Sequence, residues 1–293
     1  MTLLSRVSGL LFLVHLQPFV HFIMIRFCAR TDIGLKRVKN DDCFLTVADP
    51  APGLDIKRMG FMFAVADGMG GHPAGDVASR IACETVKNYY YDVFSASARL
   101  YAGTAAFPCT PLVNRIVLAF HQADKEIASY GYAHRDCAGL GTTLSILVLK
   151  RRWAIIGHVG DSRIYRMRAG QLDLLTRDHT FVQDLIDSGG MSLEEARKDP
   201  MRHMLTQAVG QGLERVFTRC ERISAGDSFL LCSDGLHDMV ANKEIAAVME
   251  KDVSVEEICE RLIQKALDNG GRDNVTVIVV RCTENKRIMP ENK

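Results

Sequence analysis

Two antiparallel β-sheets covered by helices, an α+β arrangement, form the fold class that this 293-residue sequence predicts. Three observations lead there. Short apolar or β-branched runs arrive in groups, the middle ones joined by turns too tight for a parallel crossover. Longer segments carry apolar residues at helical spacing before and after those runs. Apolar residues make up 47% of the chain against 24% charged, enough for a core that needs neither disulfide nor structural metal.

The first element to place is the N-terminus. Leu10 to Val14 and Phe19 to Ile25 are apolar behind Arg6, a superficial likeness to a leader or anchor. Pro18 splits the stretch, and His15, Gln17 and His21 interrupt it, whereas a spanning helix needs about twenty apolar residues. The reading is an N-terminal extension over residues 1–23, from a start assigned too early (Met24 being the real one) or from a weak membrane association. Phe22 to Ala29 is expected as the first strand.

Further strands are expected at residues 62–66, 143–150, 153–159, 162–167, 228–232 and 275–281, with hairpin turns at Arg151-Arg152 and Ala169-Gly170. Val77, Ile81, Ala82, Val86 and Val93 mark one helix, and Leu112, Ile116, Phe120, Ala123 and Ile127 another. Ser254 and Glu257 make a capping box, with Val253 and Ile258 as a hydrophobic staple, and Asn269-Gly270-Gly271 ends that helix. Consecutive hairpins favour antiparallel sheets over a doubly wound parallel one. One domain is expected over residues 24–283, followed by a polar tail at 284–293. Inside it, residues 178–209 form a helix-rich insert with a second capping box at Ser192 and Glu195, the profile of a mobile flap or a surface excursion.

Charge excludes some partners. A net charge of +1, from 36 basic and 35 acidic side chains, steers the chain towards neither nucleic acid nor an anionic membrane. Nine cysteines stand singly, with no Cys-x-x-Cys pair, and their odd number argues against a complete disulfide framework. A reducing, cytoplasmic setting is the expectation.

Four aspartates share one local position, beside Gly or Asn at the end of an apolar strand: Asp67, Asp161, Asp234 and Asp273. Each alone is an ordinary turn signal. Together they differ, because strand ends converge on one rim and crowded carboxylates repel unless a cation lies among them. An all-oxygen donor set selects Mg²⁺ or Mn²⁺ over zinc. Residues 31–42 add Asp41, Asp42 and the cation Arg37. The Gly-rich turn after Asp67 lacks the Gly-Lys-Ser/Thr of a nucleotide loop, which excludes ATP binding by that route.

The ordered segments Thr31-Asp32-Ile33-Gly34 with Arg37 and Asn40-Asp41-Asp42, then Val65-Ala66-Asp67-Gly68-Met69-Gly70-Gly71-His72, then Gly141-Thr142-Thr143, resemble the protein phosphatase 2C family. So do Val159-Gly160-Asp161-Ser162-Arg163, Cys232-Ser233-Asp234-Gly235-Leu236 and Gly271-Arg272-Asp273-Asn274-Val275-Thr276. Six segments in the family's order cover residues 24–282, and Gly-Met-Gly-Gly-His is similar to the bacterial branch.

The resemblance implies a four-layer αββα sandwich and metal-dependent hydrolysis of phosphoserine and phosphothreonine in proteins, reversing a bacterial serine/threonine kinase. It implies two Mn²⁺ or Mg²⁺ ions and a bridging water that attacks phosphorus in line. On that pattern Asp67 bridges the metals, the Gly68 carbonyl joins one of them, Asp234 and Asp273 hold the other, and Asp42 completes the set. Asp161 matches the acid of a third, weaker metal, and Arg37 the phosphate-binding arginine. The expected partners are phosphoprotein substrates and a cognate kinase, and the expected state is a monomer.

Two positions depart from the pattern. Animal members carry, after Asp-Gly, a His proposed to donate a proton to the leaving group, and Met69 stands there in this chain. Asp41 replaces the usual Glu of Asn-Glu-Asp. Two alternatives stay within the family: a phosphatase dedicated to one regulatory phosphoserine protein, and a non-catalytic member that binds phosphoproteins. A cysteine phosphatase is disfavoured, because Pro111, Leu112 and Val113 between Cys109 and Arg115 suit a phosphate-wrapping loop badly.

Overall fold

The computed structural model describes residues 5–8, 12–16, 21–49, 54–69, 74–92 and 109–284. One antiparallel sheet is built from β1 (Ser5–Ser8), β2 (Phe12–Leu16), β3 (His21–Asp32), β9 (Arg163–Arg168), β10 (Gln171–Leu174), β12 (Ser228–Cys232) and β13 (Val275–Glu284). Its order is β1-β3-β13-β12-β9-β10, with β2 also paired to β3. The second contains β4 (Asp42–Val47), β5 (Phe61–Met69), β6 (Gly141–Thr142), β7 (Leu144–Lys150), β8 (Trp153–Val159) and β11 (Phe217–Arg222). It runs β11-β8-β7-β5-β4, with β6 beside the end of β5.

Each sheet is apolar on both faces because each is covered twice. In β12, Phe229 and Leu231 pack into the core shared by the sheets, with Phe27, Phe63 and Ile278. Leu230 and Cys232 point the other way, into a separate core with α7 (Asn242–Met249) and α8 (Val255–Asp268). Such double burial explains why Phe229 to Cys232 is an unbroken apolar run where a half-solvated strand would alternate. Helices α2 (Gly75–Tyr91) and α3 (Thr110–Ala133) cover the second sheet through Ala82, Val86, Ile116, Phe120 and Ile127, all fully buried. The layers are therefore αββα, as expected.

The remaining helices are α1 (Ile56–Met59), α4 (Phe181–Asp187), α5 (Leu193–Lys198) and the single turn α6 (Asp234–His237). Ser192 and Glu195 make the full reciprocal cap of α5. At α8 only half of the expected box forms: Ser254 Oγ accepts from Glu257 N, 3.2 Å away. The hairpins at residues 151–152 and 169–170 are present, with positive φ at Arg151 (53°), Ala169 (49°) and Gly170 (79°), as right-twisted two-residue turns require.

One expectation needs correction. Phe22 to Ala29 is not the first strand: β3 extends to Asp32, and β1 and β2 precede it and pair along its outer edge. That edge would otherwise leave a row of backbone groups without partners. There is no complete disulfide framework among the described residues, but one bond joins Cys109, just before α3, to Cys220 on β11. The other seven are free thiols. Val93 and Gly70 to His72 lie outside the described residues. Among the described residues no helix is long and apolar enough to cross a membrane.

Truncating a ring between α3 and the sheet tests this layering. Phe120→Ala should lower the unfolding free energy by about 3–5 kcal/mol, read by urea denaturation. A loss under about 1 kcal/mol would contradict the packing of α3 on the second sheet.

Candidate metal centre

The four strand-end aspartates do meet. Asp67, Asp161, Asp234 and Asp273 line one cleft of about 570 Å³, together with Arg37, Asp41, Gly68 and Met69. Asp67 stands within the last residues of β5, and Asp234 opens α6, where an acid suits the positive end of the helix turn. Asp42 is the direct cross-strand partner of Asp67, so two carboxylates face each other across β4 and β5. Like charges so placed are destabilising in themselves.

Close backbone approach draws the site together. A Cβ on Gly68 would lie 2.0 Å from the Gly75 carbonyl oxygen, so only glycine lets the start of α2 reach β5. At Gly235 a Cβ would lie 2.0 Å from the Asn274 carbonyl oxygen, which sets α6 against the start of β13 and Asp234 near Asp273. Asn274 fastens the remaining wall. Its Oδ1 accepts from Asp41 N (2.8 Å), and its Nδ2 donates to the Ile33 and Lys39 carbonyls (3.0 and 2.9 Å). Leu35 N donates to the Gly271 carbonyl at 2.7 Å. Arg37 is carried on this fastened loop, and its Nη2 pairs with Asp273 Oδ2 at 2.6 Å. That bond raises the pKa of its guanidinium.

The acids are held at high energy. Burial pushes Asp42 up to about 7, against a hydrogen bond from Ser233 Oγ to its Oδ2 (2.7 Å). Burial, then the Asp42 charge, holds Asp67 well above the ordinary carboxylate range. Asp161 is raised by burial and by Asp234, and Asp234 by burial first and Asp273 among its neighbours. Asp42 Oδ1 and Asp234 Oδ1 are sealed from solvent with no hydrogen-bond partner among the described residues. Buried carboxylate oxygens without donors are what a hard divalent cation would satisfy, and the donors on this floor are all oxygen. The residues present fit Mn²⁺ or Mg²⁺.

The scan against protein families matches residues 40–269 to protein phosphatase 2C. The chain belongs to that family. It is 36% identical to the serine/threonine protein phosphatase PstP of Mycobacterium tuberculosis over 258 residues, 88% of this chain and 45% of that protein. This chain thus spans about half the length of that relative. Protein phosphatase PhpP of Streptococcus pneumoniae is 32% identical over 87% of this chain and 96% of its own. Among solved structures, the PstP catalytic domain in complex with two manganese ions is 32% identical, with a TM-score of 0.72 over 89% of this chain and 99% of that one.

Arg115 has no part in this site. Its Nε donates to the Tyr90 carbonyl at 2.6 Å and its Nη2 to that of Tyr89 at 2.8 Å, tying α3 to the end of α2. Three titratable residues not expected from the sequence also reach the cleft. Arg202 and His203 come from the 178–209 insert, and Asp238 lies one helical turn beyond Asp234. His203 Nε2 is 3.2 Å from Asp238 Oδ2, and its Nδ1 is 3.7 Å from Asp234 Oδ2. The i,i+4 spacing of Asp234 and Asp238 was a usable signal; nothing local marks His203.

The raised acid has a pH signature in metal-free protein. Folded Asp42 stays neutral until about pH 7, whereas an unfolded Asp ionises near about pH 4. Its contribution to stability is complete below about pH 4 and lost as pH rises through about 7. EDTA-treated Asp42→Asn should therefore melt above EDTA-treated wild type at about pH 8, the gap shrinking towards about pH 4. A gap independent of pH would show that Asp42 is not the strained acid.

Proposed function

We propose that this chain hydrolyses phosphoserine and phosphothreonine in proteins with the help of two divalent cations, Mn²⁺ or Mg²⁺. The observation that carries the reading is the convergence of Asp67, Asp161, Asp234 and Asp273 on one cleft beneath Arg37, with Asp42 opposite Asp67 and one oxygen each of Asp42 and Asp234 buried without a partner among the described residues. The names of the bacterial relatives and the manganese pair in a related structure support it. Asp42, Asp67, the Gly68 carbonyl, Asp234 and Asp273 are the proposed metal ligands, with Asp161 at a third, weaker ion. Once bound, the cations would activate a water and offset the charge on the phosphoryl oxygens.

The chain's own residues do the rest. Asp273 takes one corner of the Arg37 fork and leaves the other side for phosphate oxygens, a planar two-point grip. The segment 31–42, sewn to residues 271–274, keeps that grip at a fixed height above the carboxylates. Met69 lines the cleft and offers the leaving group no proton. Residues 178–209 act as a flap over the cleft within a catalytic domain spanning 24–283. The substrates are phosphoproteins of a cognate serine/threonine kinase, met by a monomer in the cytoplasm.

Turnover of a phosphothreonine peptide tests the reading. Activity should need Mn²⁺ or Mg²⁺, vanish with EDTA, fall to near zero in Asp273→Asn, and survive Cys109→Ser. EDTA-resistant turnover that Cys109→Ser abolishes would instead indicate a thiolate nucleophile. Asp273→Asn within about threefold of wild type would remove that residue from the metal site.

Arg37 gives a separable outcome. Arg37→Ala should lower kcat/KM about ten- to two-hundredfold at saturating Mn²⁺, the worth of lost charge-assisted hydrogen bonds, with metal affinity nearly unchanged. Arg37→Lys should restore part of it, since an ammonium keeps the charge without the fork. Unchanged kinetics in Arg37→Ala would take this arginine out of phosphate binding.

A further inference from the structure

We propose that the end of the molecule opposite the metal cleft is a docking surface for an anionic lipid bilayer, whose phosphates are held by Lys57, Arg58, Lys150, Arg151, Arg152 and Arg222. The overall charge of +1 conceals this pole. In the β7–β8 hairpin, Leu144 lies opposite Val159 near the cleft, and Lys150 lies opposite Trp153 at the far end. The turn at Arg151-Arg152 is therefore a whole strand away from Asp161, about 20 Å at ~3.3 Å per residue. The inference does not depend on the phosphatase reading.

Separate elements bring these cations together. Arg222, at the end of β11, is the cross-strand partner of Trp153, and its guanidinium lies 5.3 Å from the centre of that ring. Ile223 N donates to the Arg152 carbonyl at 2.8 Å. Lys150 Nζ donates to the Lys57 carbonyl, which brings α1 and its Arg58 to the same rim. Burial, then the Arg151 charge, lowers the pKa of Lys150. Lys57, Arg58, Arg151, Arg152 and Arg222 are exposed, and none of them forms an ion pair among the described residues. Nearby acids are already engaged: Glu221 pairs with Arg166 and Arg219, and Asp227 with Arg168. Asp49 and Asp55 stand against the cluster, and Asp55 caps α1 by accepting from Arg58 N at 3.0 Å. Cations gathered with so little counter-charge repel one another, and an external anion relieves them.

The layout suits a bilayer better than an acidic peptide. The cations are spread over a hairpin turn, a strand end and a short helix, which matches headgroups distributed over a plane. A cluster of about four to eight Lys or Arg side chains is the size that an anionic leaflet attracts. Trp153, the chain's single tryptophan, is half-buried among them. Its apolar body and polar N–H suit the level of the headgroups. Among the described residues no helix is long and apolar enough to span, so the contact is peripheral. Docked by this pole, the protein turns its metal cleft away from the bilayer.

Co-sedimentation of the full chain with lipid vesicles tests this surface. Phosphatidylcholine vesicles containing about one-third phosphatidylserine should capture wild type, and phosphatidylcholine alone should not. Capture should vanish at ~0.5 M salt, where such charges are screened. The double variant Arg151→Ala/Arg152→Ala should partition at least about tenfold more weakly, and Arg222→Ala by a smaller factor. Both should keep the wild-type circular dichroism spectrum and melting curve. Wild type left in solution by the anionic vesicles overturns the proposal. So does equal capture by neutral vesicles, capture indifferent to salt, or capture undiminished in both variants. Stronger retention on a polyglutamate peptide or on duplex DNA than on the anionic vesicles, lost in the double variant, would assign the pole to that partner and overturn the bilayer.

Discussion

Cross-strand opposition of Asp42 and Asp67 is the constraint around which this molecule is arranged. Neighbouring strands fix two carboxylates side by side, and burial removes the water that would screen them. A sheet tolerates such a pair only where a cation can relieve it, so the rest of the fold delivers further oxygens to the same point. The two sheets stack with their ends in register over one cleft. β5 and the turn after β8 bring Asp67 and Asp161, while α6 and the approach to β13 bring Asp234 and Asp273. Remove the stacking and the acids fall on separate surfaces. Retain it without a counter-charge and their mutual repulsion works against the folded state.

The sandwich and most of the site were legible in the sequence because both depend on short-range rules. Doubly buried strands read as unbroken apolar runs, and tight turns such as Ala169-Gly170 give antiparallel neighbours. Asp67, Asp161, Asp234 and Asp273 stood out because each ends such a run, and strand ends in stacked sheets share a rim. What escaped detection is long-range. His203 gains its place from two backbone tethers to residues more than twenty positions earlier, and no motif surrounds it. The Cys109–Cys220 bond joins residues 111 apart with unrelated neighbours. The outer-edge pairing of β1 and β2 was hidden because their sequence reads equally well as an interrupted anchor.

Arg115 shows why a pattern must be read with its surroundings. Its spacing from Cys109 satisfies a phosphatase signature of a different chemistry, yet its guanidinium is consumed by carbonyl groups at the end of α2. The same residue type at Arg37 sits on a loop pinned from both sides and faces a cleft. What distinguishes the structural arginine from the one proposed to bind phosphate is how many of its donors the backbone has already claimed.

The position of β13 has a consequence for how the protein comes into being. It lies between β3 and β12, in the middle of its sheet, and its register with β3 runs from Asp32 opposite Val275 to Ile23 opposite Glu284. The last described strand is therefore inserted between the strand just before it, β12, and a much earlier one, β3, with Asp273 just ahead of it. During synthesis, β3 must wait with that edge open while some 250 residues follow, and the ion-holding floor stays incomplete throughout. Until residues 273–284 have been made, the candidate floor lacks Asp273 and the sheet lacks its central strand. Completion of the sheet and completion of the candidate metal centre therefore coincide, both waiting on the same late segment.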